Sequence, residues 1–103
     1  MIVNGRALFR MSPIKDMLEE KVRHNGVSHG LTEAGYDLRI RQRVHFCIDH
    51  QNSLVMVDAQ PTQNGRFTLA SAVEEFDMPP NLVGVVHDKS TWARRGLSVF
   101  NTV

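Results

Sequence analysis

The sequence predicts a mainly-β fold, an antiparallel sandwich or barrel with one helix ahead of the strands. Three observations carry that expectation. Apolar residues recur at helical spacing once, near the N-terminus. Beyond Gly30 the apolar and polar residues alternate with a period of two, and turn-forming segments interrupt the alternation at short intervals. A chain of 103 residues and 11.7 kDa has room for a single domain with one modest core, expected to span residues 1–103.

The predicted helix begins at Ser12, a good N-cap, followed by Pro13, whose missing N–H costs nothing at the first helical position. Ile14, Met17, Leu18 and Val22 then share one face, and Asn25-Gly26 supplies a stop. From Tyr36 to Phe46 the strand period puts Leu38, Ile40, Val44 and Phe46 on one side and Arg39, Arg41, Arg43 and His45 on the other. Further strands are expected at Leu54–Val57, Arg66–Phe76 and Leu82–His87, with a last one at Leu97–Val103. Turns are expected at 49–53, 61–65 and Met78-Pro79-Pro80-Asn81.

Composition excludes several function classes. Twelve Lys and Arg against eleven Asp and Glu leave a net charge of +1, too little for the field that drives sequence-independent binding of polymeric nucleic acid. No apolar run is long enough for a membrane span, and the first residues lack the apolar core of a signal peptide. Cys47 is the only cysteine, which fits a reducing, cytoplasmic setting. No Walker A, G-x-S-x-G or G-x-G-x-x-G pattern occurs.

The richest segment chemically is Asp88-Lys89-Ser90-Thr91-Trp92-Ala93-Arg94-Arg95-Gly96. It lies between two apolar runs, so it is a connection that makes a short helical turn. Ser90 and Thr91 offer hydroxyls, Lys89 a charge, and Arg94, four residues after Ser90, a planar fork on the same face, a set suited to phosphate. The plainer alternative is a Ser or Thr cap on an exposed basic turn, with Trp92 in the core. Ala34-Gly35-Tyr36-Asp37-Leu38 is a glycine loop entering a strand. There Asp37 either joins a water or metal network or caps local backbone donors. His45, Cys47 and His50 form H-x-C-x-x-H without an evident fourth ligand, so zinc is not expected. The arginine run at 39, 41 and 43 reads as a solvated face. Glu74 and Glu75, being adjacent, point to opposite faces of a strand and cannot act as a carboxylate pair.

With these segments in order, the chain resembles the family of dCTP deaminases and trimeric dUTPases. Ala34 to Leu38 is similar to the family's first motif, Val73 to Gly84 to the stretch that reaches a proline turn and returns through Leu-Val-Gly, and Asp88 to Leu97 to the phosphate-gripping second motif. Thr91 after Ser90, and Arg94, favour the deaminase branch. Lys89 stands where an arginine is usual, and Val103 where alanine is frequent beside the base. The resemblance implies a jelly-roll-like, dUTPase-type barrel and a homotrimer with sites between subunits. It also implies zinc-independent hydrolytic deamination of dCTP to dUTP, with Mg²⁺ carried by the triphosphate. Lys89, Ser90, Thr91 and Arg94 would meet phosphates, and Ser90 would also position water or base. Arg94 would hold the catalytic carboxylate, Val103 would wall the pocket, and Asp37 would serve structure or a water network.

The family's catalytic glutamate follows the second motif, and no acidic residue follows Asp88 here. The sequence therefore reads as the N-terminal part of such a domain, lacking its catalytic hairpin. The alternatives are a dUTPase or bifunctional relative accepting dUTP or dTTP, or a non-catalytic fragment that binds nucleotide or joins a trimer.

Overall fold

The computed structural model describes residues 1–48, 53–57 and 69–100. Their element order is α1 (Gly5–Met11), β1 (Lys21–His24), β2 (Val27–Leu31), β3 (Tyr36–Asp37), β4 (Val44–Ile48), β5 (Ser53–Val57) and α2 (Ser90–Ala93). Every described strand pairing is antiparallel, so the mainly-β class with a helix ahead of the strands is as the sequence predicts, and it is consistent with the dUTPase type. The chain divides into two compact units. The first is Met1–Arg39 with Ala72–Val83; the second is Ile40–Ser71 with Gly84–Val103.

In the first unit the predicted helix is displaced. The helix lies before Ser12, which is its C-cap in the left-handed region (φ 48°) with its N–H shared between the Leu8 and Phe9 carbonyls. Pro13 then forbids continuation. Ser-Pro reads equally as the start of one helix or the stop after another, and the stop applies here. The Val22 end of the expected helix is strand β1. Asn25 and Gly26 (φ 52° and 78°) form a two-residue hairpin turn, with His24 opposite Val27. Two positive φ angles in succession are what an Asn-Gly hairpin provides.

The sheet order β1-β2-β3 sets Lys21, Gly30 and Asp37 in one row across three strands. Gly30 is buried at φ 112°, and a Cβ there would press into the Glu20 carbonyl. On the same row Lys21 Nζ stands 3.9 Å from Asp37 Oδ2. Ile14, 4% exposed, is buried beside Pro13 in this unit. It bridges Phe76, flanked by Lys15 N–H to Glu75 O and Asp77 N–H to Pro13 O, both 2.8 Å.

The long strand expected from Tyr36 to Phe46 is split into β3 and β4. Arg39 ends the first unit by turning to Glu74, whose carboxylate accepts its backbone N–H at 2.8 Å and its Nε–H at 3.1 Å. Val73 N–H returns to Arg39 O at 2.8 Å. Glu75 meets Lys15 at 3.4 Å, so the two adjacent glutamates do serve different partners. Residues 69–76 are no strand; isolated long-range backbone bonds and the Ile14–Phe76 bridge stand in for a continuous ladder. The proline turn is present, closed by Leu82 N–H to Pro79 O at 3.1 Å.

In the second unit β4 and β5 pair from Val44↔Val57 to Ile48↔Ser53, as the alternation predicts. Arg41 N–H bonds Ser71 O, and the Gln42 amide spans Ser71 Oγ and N–H. The strands expected at Leu82–His87 and Leu97–Val103 are not seen among the described residues. Apolar residues make a strand only beside a neighbour that takes their N–H and C=O groups. Val83 is instead 89% exposed and Val85 66%. The turn expected at 61–65, most of that at 49–53, and residues 66–68 and 101–103 lie outside the described residues.

Candidate functional site

The segment after Val86 builds a small closed loop around α2. Asp88 accepts from Ser98 Oγ at 3.0 Å and from the Val99 N–H at 2.5 Å, tying together the two ends of the connection. Between them Lys89 is the N-cap in extended conformation (φ −93°, ψ 123°), with no side-chain cap. Its carbonyl takes the Trp92 and Ala93 N–H groups. Ser90 and Thr91 are thus the first residues of the turn rather than its caps, which sets aside the plainer capping alternative. Their exposed side chains, and their backbone N–H groups, find no acceptor among the described residues.

Arg94 N–H bonds Ser90 O at 3.0 Å, so Arg94 lies one helical turn beyond Ser90, as the spacing predicts, and its side chain is exposed. The turn ends at Gly96 (φ 101°), with Leu97 N–H reaching Trp92 O and Gly96 N–H reaching Ala93 O. That pair of bonds is a Schellman closure, which needs a residue tolerant of left-handed φ. Trp92 is half-buried rather than in a core and stacks on Phe46 of β4, ring centroids 5.5 Å apart and planes inclined 21°. Lys89, Ser90, Thr91 and Arg94 are therefore presented together on one short turn. The group offers hydroxyl, amide, ammonium and guanidinium donors, a set that favours an anionic ligand with several oxygens.

The other predicted residues belong to the first unit or lie outside the described residues. Asp37 belongs to the first unit, half-buried in β3 and facing Lys21. The loop before it is closed by Thr32, whose Oγ1 accepts the Gly35 N–H at 3.0 Å and donates to Gly35 O at 3.1 Å. Tyr36 Oη accepts the Leu18 N–H at 3.1 Å. Val103 and His50 lie outside the described residues. Among the described residues, no group of three His, Cys, Asp or Glu is placed to hold a metal ion. Sequence reasoning named Asp88 and Phe46 but not these roles: one acts over ten residues through its side chain, the other through a ring stack distant in sequence, and neither role has a local signature.

The first unit holds an open cleft of about 470 Å³ lined by Lys15, Asp16, His29, Tyr36, Arg39 and Glu74, among others. Its Lys15 and Arg39 charges are engaged by Glu75 and Glu74.

Comparison with known proteins gives a consistent result. The chain is 32% identical to a dCTP deaminase of Acidobacterium capsulatum, an alignment that covers 96% of this chain and 63% of that protein. It is 36% identical to one of Chlamydia trachomatis serovar L2, with 71% of this chain and 45% of that one covered. The likeness runs over most of the chain and supports the dCTP deaminase family. A dCTP deaminase of Helicobacter hepaticus, 30% identical over 84% of this chain and 54% of its own, extends the likeness. The chain thus spans about half the length of the curated relatives it matches. No protein-family model matches it, and no solved structure matches it significantly. The α2 turn lies within the alignable, deaminase-like stretch Asp88 to Leu97, and no helix among the described residues is long and apolar enough to cross a membrane.

Proposed function

We propose that this chain carries the triphosphate-gripping part of a dCTP deaminase, an enzyme that hydrolyses dCTP to dUTP in pyrimidine deoxynucleotide metabolism. The observation that carries the reading is the α2 turn, where Ser90 and Thr91 present hydroxyls and backbone N–H groups with no acceptor among the described residues. Similarity to proteins named dCTP deaminase supports dCTP as the nucleotide.

In this reading Lys89, Ser90 and Thr91 meet the triphosphate and its Mg²⁺ offsets part of the charge. Lys89 supplies charge without the bidentate grip of an arginine. Arg94 holds the water-activating carboxylate and stabilises charge as water adds to C4 of cytosine. Ser90 orients that water or the base, and Val103 bounds the pocket. The reaction needs no zinc: the carboxylate takes a proton from water, the hydroxyl adds to C4, and ammonia departs after protonation. In the resembled family that carboxylate follows the stretch matched by Asp88 to Leu97, and Asp88 is the last acidic residue of this sequence. Asp37, engaged with Lys21, has a structural part.

The same reading makes the working form a cytoplasmic homotrimer. The exposed apolar side chains of Val83, Val85 and Val86 support an assembly that covers them. Light scattering on the purified protein reads the oligomeric state directly.

The test is incubation of the protein with dCTP and Mg²⁺, with calorimetric titration alongside. Saturable binding of dCTP is expected, with dUTP formed where the carboxylate is present. Pyrophosphate release would instead place the chain with the dUTPases. No heat of binding up to millimolar dCTP refutes the reading.

A further inference from the structure

Arg94 and Arg95 are neighbours in sequence and look interchangeable as cations, yet they make different contacts. The Arg95 guanidinium carbon stands 5.5 Å from the Trp92 ring centroid and 5.8 Å from that of Phe46. Both distances are within the range in which a guanidinium is attracted to an aromatic face. Arg94 makes neither contact. Arg95 N–H also bonds Trp92 O at 3.0 Å, so backbone and side chain of Arg95 converge on the same residue.

A four-residue helix is far too short to hold itself in water. Its side-chain attachment to β4 is the Phe46–Trp92 stack, and Arg95 covers both rings of that stack. We propose that Arg95 is a positioning residue rather than a phosphate ligand: its guanidinium clamps Trp92 onto Phe46, and so fixes the turn that presents Lys89, Ser90 and Thr91. The role rests on the nucleotide reading above only in what the turn is held ready to bind. The clamp itself stands on the ring geometry.

Trp92 is the only tryptophan, so its emission reports the stack without labelling. Two variants separate packing from charge. Arg95→Ala removes the cover; Arg95→Met removes the charge but lays a polarisable thioether on the rings. Acrylamide quenching of Trp92 is expected to rise about 2-fold in Arg95→Ala and to return close to the wild-type value in Arg95→Met. The Kd for dCTP is expected to rise about 2- to 5-fold in Arg95→Ala, the span of one exposed cation–π contact, and to recover in Arg95→Met. Unchanged quenching in Arg95→Ala overturns the clamp. So does an Arg95→Met protein with Trp92 shielded but dCTP binding as weak as in Arg95→Ala, because charge on phosphate would then be the role. If the wild-type protein binds no dCTP, the nucleotide reading fails, and the quenching comparison still decides for or against the clamp.

Discussion

Removal of the Glu74 carboxylate should measurably destabilise the first unit. The Glu74 side chain is 5% exposed, while that of its partner Arg39 is 46% exposed. The carboxylate accepts the Arg39 backbone N–H at 2.8 Å to one oxygen and 3.2 Å to the other, and the Arg39 Nε–H at 3.1 Å. The guanidinium can recover water when the pair is broken; the backbone N–H, held beside the Val73 bond, recovers it less easily. Bonds to a charged group contribute about 1.5–3 kcal/mol where covered, and exposed ion pairs well under 1 kcal/mol. Glu74→Ala should therefore cost about 2 kcal/mol, carried mainly by the backbone donor. For a chain of about 100 residues that lowers Tm by roughly 10 °C. Arg39→Ala keeps its backbone N–H on the carboxylate and should cost less than half as much. Thermal unfolding followed by far-UV circular dichroism reads both variants. A Glu74→Ala protein within about 1 °C of wild type, or an Arg39→Ala protein that is the less stable of the two, refutes the reasoning.

Gly30→Ala should destabilise by about 3 kcal/mol, because alanine is strained at that φ and its methyl meets the Glu20 carbonyl; a shift of the urea midpoint measures it. Asp88→Ala should free the ends of the α2 loop and weaken dCTP binding roughly 3- to 10-fold, while Asp88→Asn, which keeps one acceptor, should weaken it less; calorimetric titration separates them. In the deaminating enzyme, Arg94→Ala should lower kcat at least about 100-fold with the oligomer unchanged, as loss of one charge-stabilising donor does, checked by dUTP formation and light scattering.

What the sequence disclosed was local. The α2 turn, the loop at Gly35, the proline turn at Pro79 and the β4–β5 pair were all legible, since each rests on neighbours within a few residues. Two signals were legible but ambiguous. Ser12-Pro13 marks a helix end as readily as a start, and Asn25-Gly26 closes a hairpin as readily as it stops a helix. The continuous alternation from Tyr36 to Phe46 concealed the break at Arg39, because the break is imposed by Glu74, thirty-five residues on. For the same reason the tie of Asp88 to Ser98 and Val99 went unread: a carboxylate's distant partners leave no periodicity to read. The strands expected at Leu82–His87 and Leu97–Val103 were read from composition, which says what a segment would bury and not whether a neighbour stands beside it.

The bridge of Ile14 to Phe76 bears on how the protein is made. The Asn-Gly hairpin of β1 and β2 can close as soon as its own residues leave the ribosome. The cover over Ile14, the cap on Lys15 and the partner of Arg39 arrive only with residues 74 to 76, after the second unit's strand pair has been synthesised. During that interval the N-terminal apolar residues are a nascent chain waiting for their seal. Slow translation across the intervening segment would lengthen the exposure and give chaperones their longest access to this protein at that point.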